Sequence, residues 1–311
     1  MTADAPARRP AGRARRRRDL GLRLLRSVRS IRVREVLALQ GTPAFGILFS
    51  IGTLSAHKLA VAALMMTASC CLVAHVFVFN DWSGLSGDLR DPHRAEATFA
   101  ARGVGRSDAG YLSAFLAVVA LALLVPLGLG AVALGAGILA CSTLYSAPRV
   151  HFKGVPVANS ILHLTGGVLH FLLGYGLYRP LDARGWAIGA FFALTFAAGH
   201  LTHEARDWEG DKANAIRTNA VRFGRRACVM ASLALFTLAY ALLAGLAWSG
   251  SIPRPIAWSA LLFPAQLFWT YRAFRDGLTF ESLARLQARY RLLFLMIGAI
   301  MAACLAPTLV A

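Results

Sequence analysis

The chain has 311 residues, 57% hydrophobic and only 15% charged, yet Lys and Arg outnumber Asp and Glu by 33 to 15, for a net charge of +18. Soluble domains carry roughly 25% charged residues, so this composition excludes a water-soluble globule, and its apolar content excludes disorder. The five cysteines, Cys70, Cys71, Cys141, Cys228 and Cys304, all lie in apolar runs without C-x-x-C spacing, which excludes a disulfide scaffold and indicates neither a zinc site nor a redox pair.

Residues 1–35 hold 12 arginines, including the run RARRRR at 13–18. Such a polybasic tail suits anionic lipid headgroups. Within it, residues 19–34 place Leu and Ile at helical spacing among arginines, the pattern of an amphipathic helix lying in a membrane interface. No short apolar core with a small-residue cleavage site follows, so the segment does not read as a cleavable signal peptide.

From residue 36 onward the sequence reads as a single membrane domain, 36–311. A spanning helix needs about 20 mostly apolar residues, and such runs occur near 36–54, 59–79, 111–129, 130–147, 157–178, 185–203, 227–249, 255–271 and 292–310. The expected fold is therefore an all-α polytopic bundle of nine transmembrane helices. The boundary between the third and fourth spans, inside LVPLGLGAVALGAG, is the weakest. Pro126, Pro264 and Pro307 fall within spans, where neighbouring helices can satisfy the freed backbone groups.

The positive charges alternate with these spans. The tail and the loops after spans two, four, six and eight carry all Lys and Arg except Lys58, Arg179, Arg184 and Arg254. By the positive-inside rule the N-terminus and those loops are cytoplasmic, and the expected location is a cell membrane of bacterial type. A nucleic-acid-binding stripe would not alternate in this way, so the expected partners are a lipid bilayer and no nucleic acid. Nothing in the sequence calls for a protein partner.

Carboxylates are scarce, which makes their placement informative. Nine of the 15 gather in two loops on the basic side: Asp81, Asp88, Asp91, Glu96 and Asp108, then Glu204, Asp207, Glu209 and Asp211. If the second span continues as a helix, Asn80, Gly84 and Asp88 share one face, and Glu204, Asp207 and Asp211 share another. Two such faces meeting at the mouth of a bundle would offer hard oxygen ligands suited to Mg²⁺ and a substrate's phosphates. The plain alternative is solvated surface acids, but the matched strings NDW…GD at 80–88 and RDWEGD at 206–211 argue against it and hint at a pseudo-repeat. Between them, YSAPRVHFKG sets Arg149 and Lys153 one helical turn apart. DKANAIRTNAVRFG adds Lys212, Arg217 and Thr218. Cations of this kind suit the outer oxygens of a diphosphate, although positive-inside topology alone accounts for any single one.

Together these strings resemble the UbiA superfamily of intramembrane prenyltransferases. The resemblance implies nine helices, a cytoplasmic-side active-site mouth between two Asp-rich motifs, and an isoprenyl diphosphate substrate held by Mg²⁺. NDWSGLSGD is similar to the first motif at Asn80, Asp81 and Asp88, and EARDWEGDKANAIRTNAVRFG to the second at Glu204, Asp207, Asp211, Arg217 and Thr218. The Y-S-x-P-x-x-x-x-K string is matched by Tyr145, Ser146, Pro148 and Lys153. The implied metal-holding residues are Asn80, Asp88, Asp207, Asp211 and Glu204, with Asp81 in support. Diphosphate would be bound by Lys153 and Arg217, together with Arg149, Lys212 and Tyr145.

Two departures point to one branch of the superfamily. The middle Asp of the first motif is Gly84, and the R-P-L segment usual in transferases is replaced by DLRDPHRAEATFAARGVG. The N-x-x-x-G-x-x-x-D pattern is similar to that of UbiA-type terpene cyclases. The expected activity is therefore Mg²⁺-dependent ionisation of an allylic diphosphate and cyclisation to a terpene, a diterpene in the first instance. The alternative is prenyl transfer to an aromatic or lipid acceptor. Phe171, Tyr175, Phe191, Phe192 and Phe196 offer π-faces for a carbocation, and His163, His170, His200 and His203 offer proton acceptors; packing is the ordinary reading of each. A transporter would place ionisable groups near the midplane, whereas these cluster at one interface.

Overall fold

A computed structural model describes residues 26–91 and 94–309, and every element of secondary structure among them is helical. The basic run at 13–18 lies outside the described residues. The expected interfacial helix is only partly within them: residues 26–29 are helical, 30–32 interrupt, and helix α1 begins at Val33 (Val33–Leu39).

The first expected span is not one helix. It divides at Gln40 into α1 and α2 (Gly41–Ser50). Pro43 is the cause: it lacks an N–H, and its ring would clash with the carbonyl four residues earlier in an unbroken helix. Next comes α3, Ala56–Asp88, capped where Ser55 Oγ accepts from the Lys58 N–H at 3.2 Å. At 1.5 Å per residue, 33 residues run about 50 Å, well beyond a hydrocarbon layer of about 30 Å. The surplus is long enough for the polar Asn80–Asp88 end to stand clear of an apolar layer.

Helices α4 (Arg106–Leu124) and α5 (Leu129–Ser146) are separated by a short 3-10 turn and by Gly128 at φ 99°. That settles the boundary the sequence left weakest: the positive φ is one that glycine adopts without penalty. Helix α6 (Ala158–Tyr175) follows, then α7 (Ala183–Arg206), capped by Asp182. Two short helices, α8 (Trp208–Ala213) and α9 (Asn219–Phe223), lead into α10 (Arg225–Trp248). The eighth expected span opens as a 3-10 stretch, Arg254–Leu262, and only then becomes α11 (Phe263–Arg275), with Pro264 in its first turn. The last long helix is α12 (Phe280–Leu305).

The nine apolar runs are thus helical over most of their described length, but among the described residues six helices are long and apolar enough to cross a membrane: those beginning at Ala56, Arg106, Leu129, Ala183, Arg225 and Phe280. The α1–α2 pair is interrupted, the eighth run is half 3-10 helix, and α6 is diluted by Asn159, Ser160, His163, Thr165 and His170.

The core lies where α6, α7, α10 and α12 meet, with Phe171, Tyr175, Phe191, Tyr240 and Met301 buried together. Phe171 stacks on Phe192 at 5.0 Å, and Phe192 meets Phe191 edge-on at 5.1 Å. Such pairs contribute about 0.5–1.5 kcal/mol each beyond area burial. In lipid, where apolar contact brings no hydrophobic gain, close packing is what holds helices together. Gly46 of α2 and Gly174 of α6 show this, because an added Cβ would lie 2.2 Å from Phe171 O and 2.0 Å from Pro43 O respectively. Large apolar side chains face outward on these helices, including Phe115, Val118, Trp248 and Leu295.

Candidate active site

The two acidic strings do meet. The end of α3, the end of α5, the turn carrying Lys153, and α8 surround a cleft that opens to solvent. Asn80, Gly84 and Asp88 line it from one helical face, as their i, i+4, i+8 spacing predicts. Asp211 and Lys153 line it from the opposite side, joined by Asp91, Arg94, Ser146 and Asn214. Gly210 allows this closure, since a Cβ there would come 2.4 Å from Asp91 Oδ2.

Arg94 organises the mouth. Its guanidinium pairs with Asp88 Oδ1 at 3.2 Å, Asp91 Oδ2 at 3.6 Å and, closely, Asp207. Together with Asp91 it borders both the cleft and a second hollow, which Arg206, Asp207, Glu209 and Phe280 line. Asp207 therefore faces the neighbouring hollow, where Arg206 grips it through Nε at 2.6 Å. Against burial, Arg206 and Arg94 hold its carboxyl below the usual range. Burial pushes Asp211 the other way, up to about 6, despite opposing pulls from Lys153 and Arg94. Although burial disfavours its charge, Arg94 itself is raised by Asp207 and Asp88.

Several expected site residues lie elsewhere. Asp81 turns away from the cleft and binds Arg32 through two hydrogen bonds, at 2.6 and 3.0 Å. Arg149 and Arg217 are exposed and outside the cleft wall. Lys212, also exposed, lies 4.6 Å over the Trp208 ring. Tyr145 packs edge-on against His163 at 5.0 Å, next in sequence to the cleft residue Ser146 but not in the cleft wall. Glu204, expected among the metal-holding residues, is buried and taken up by Asn159 and Asn219. Of the histidines, His163 and His200 stack on one another at 3.5 Å, while Phe171, Tyr175, Phe191 and Phe192 pack within or against the core and Phe196 lies 5.4 Å from the His163 ring.

Sequence reasoning counted Arg94 only as topology and passed over Asn159, Asn214 and Asn219. Asn214 had a local signal: it is four residues past Gly210, and its Nδ2 donates to Gly210 O at 3.0 Å and to Gly87 O at 3.2 Å.

The donor set on the cleft wall suits a hard divalent cation, because Asn80, Asp88, Asp91 and Asp211 offer only oxygen acceptors besides one amide N–H₂. No three His, Cys, Asp or Glu side chains among the described residues converge as a ready-made metal cage. A cation here would complete its shell with water or with a ligand's own oxygens, as Mg²⁺ does.

The comparisons with known proteins agree with this architecture. The UbiA prenyltransferase family matches residues 41–290. Among solved structures, a UbiA homolog from Archaeoglobus fulgidus bound to GPP and Mg²⁺ has a TM-score of 0.71 at 19% identity, over 91% of this chain and 99% of that one. An apo UbiA homolog from Aeropyrum pernix K1 has a TM-score of 0.69 at 20% identity, over 89% and 98%. A digeranylgeranylglyceryl phosphate synthase follows at 0.67 and 15%, over 91% and 98%. No curated protein matches the sequence.

Proposed function

The chain belongs to the UbiA prenyltransferase family, and we propose that its cleft binds an allylic isoprenyl diphosphate and ionises it to a carbocation that cyclises and then loses a proton to give a terpene, with release of diphosphate. The observation that carries the reading is the meeting of Asn80, Asp88 and Asp211 with Lys153 in one cleft. Asn80, Asp88 and Asp211 would hold Mg²⁺, with Asp207 joining if Arg94 releases it. When bound, Mg²⁺ would neutralise charge on the leaving diphosphate. Lys153, and Arg94 beside it, present fixed positive charge to the same oxygens as the C–O bond breaks, which favours the charge-separated transition state. The basic loops around this mouth support a cytoplasmic orientation.

Cyclisation, in which the substrate's own alkenes attack the cation and loss of a proton ends the sequence, is supported by Gly84, which leaves the first acidic string one carboxylate short. Prenyl transfer to an acceptor is the second reading, favoured by the structural likeness to a digeranylgeranylglyceryl phosphate synthase. Incubating the purified protein with geranylgeranyl diphosphate and Mg²⁺, without acceptor, separates them. A hydrocarbon product is expected. Diphosphate release that requires an added aromatic or lipid acceptor would establish the transferase instead.

A further inference from the structure

Glu204 belongs to the second acidic string by sequence, yet both its oxygens are already engaged. Oε1 accepts from Asn159 Nδ2, and Oε2 accepts from the Asn219 backbone N–H at 3.1 Å and from Asn219 Nδ2 at 2.9 Å. All three residues are almost fully buried, Asn159 at 0%, Asn219 at 4% and Glu204 at 5% exposure. The asparagines reach further. Asn159 Nδ2 also donates to the backbone oxygen of Lys153 at 3.2 Å, and Asn219 Oδ1 accepts from the Val157 N–H at 2.6 Å.

That last contact falls at an unusual place. Val157 has φ 67° and ψ −51°, and the Ala158 N–H donates to Pro156 O at 2.8 Å. This is the geometry of a tight γ-turn, rare and strained for a β-branched residue. His151, at the other end of the Lys153 turn, also has positive φ, at 45°. A segment bent at both ends keeps its course only when its surroundings hold it, and the hydrogen bonds that do so converge on one carboxylate.

Resting on the reading of the cleft as a diphosphate site, we propose that Glu204 is a positioning residue. It fixes the Lys153 turn and the start of α9 against α7, and it is not a ligand to the divalent cation. A buried carboxylate is tolerable where every oxygen faces a donor, and the network supplies that condition without a metal. Lys153 then reaches the cleft from a backbone whose place is set by Glu204 through Asn159.

The test uses the full-length protein in detergent and inorganic diphosphate as probe, with binding followed by calorimetry across a Mg²⁺ series. Glu204→Gln keeps the size of the side chain but turns an amide N–H₂ toward donors. It is expected to weaken diphosphate binding about tenfold, while the Mg²⁺ concentration giving half-maximal binding stays within about twofold. In a Lys153→Ala background the same substitution should add less than about twofold, since both changes remove one interaction. If Glu204→Gln does not fold, Asn159→Ala breaks the link from the Lys153 side and carries the same expectations. A large rise in the Mg²⁺ requirement, or a full loss persisting without Lys153, overturns the positioning role. So does undiminished binding in both variants. A wild-type protein that does not bind diphosphate overturns the reading of the cleft itself.

Discussion

Arg94, in the loop after α3, closes on Asp207 at the end of α7, so one guanidinium ties the two acidic strings together. With Asp88 and Asp91 also on it, this cation occupies carboxylates that a divalent ion would need. Arg94→Ala would leave three partly buried acids facing one another with less countercharge, at a cost on the order of 1–3 kcal/mol. In EDTA the variant should unfold several degrees below wild type. Saturating Mg²⁺ should then stabilise it more than it stabilises wild type, because freed carboxylates take up the ion. Thermal unfolding in detergent, with and without Mg²⁺, reads this directly. Equal responses of the two proteins would mean that guanidinium and metal do not compete.

The two acids of the first string should behave differently. Asp88 lines the cleft, and Asp88→Ala is expected to lower the rate of diphosphate release by about 10²-fold or more, the scale of losing one electrostatic group at a reacting centre. Asp81 is spent on Arg32, whose side chain is 40% exposed. Asp81 itself is only 17% exposed and is held by two hydrogen bonds, so Asp81→Asn should keep activity within a few-fold but cost on the order of 1–2 kcal/mol of stability, read as a Tm a few degrees lower. Diphosphate release assayed side by side decides it; equal losses would place both acids in the chemistry.

These contrasts show where sequence sufficed. The face formed by Asn80, Gly84 and Asp88 was legible because a helix fixes i, i+4 and i+8 by local geometry, and the apolar runs located the helices for the same reason. Pro43 and Pro264 carried local warnings of the interrupted helices. Arg94 was invisible as a site residue because its partner is 113 positions away, and charge counting treats every loop arginine alike. Arg149, Lys212 and Arg217 stand outside the cleft wall, a placement the sequence could not show: periodicity places a residue along the chain, but it does not tell a cation aimed into a cleft from one aimed into water. Glu204 matched a motif position, and only its asparagine partners, brought in by tertiary folding, reveal how its oxygens are used.

Gly84 offers a gain-of-function test. A Cβ there meets only Asp88, with Oδ2 at 3.5 Å, so a longer side chain has room on the cleft wall. Gly84→Asp would restore the missing carboxylate beside Asp88. Two like charges at that distance repel without a cation, so the variant should be less stable in EDTA, by about 1 kcal/mol in a mouth open to solvent. With Mg²⁺ it should need several-fold less metal for half-maximal diphosphate release. An unchanged Mg²⁺ curve would show that the side chain at 84 does not reach the bound ion.

The sharpest structural prediction concerns the crossing of α2 and α6. At Gly174 an added Cβ would meet backbone on every side, with Pro43 O at 2.0 Å, Pro43 C at 2.9 Å and Ile47 N at 3.0 Å. No rotamer change can relieve that, so α2 must back away and loosen the Phe45–Phe192 stack, now 5.8 Å between centroids. Overpacking of this kind costs about 1–3 kcal/mol even where side chains can yield, and here backbone must move. Gly166, on the same helix, has nothing within 4 Å of its added Cβ. Its replacement by Ala should be neutral or stabilising by up to about 1 kcal/mol through helix propensity. Gly174→Ala is therefore expected to lose folded protein or to unfold several degrees early, while Gly166→Ala matches wild type. Detergent-solubilised yield and thermal unfolding of the pair provide the check, and a Gly174→Ala protein as stable as Gly166→Ala would mean the two backbones are not in contact.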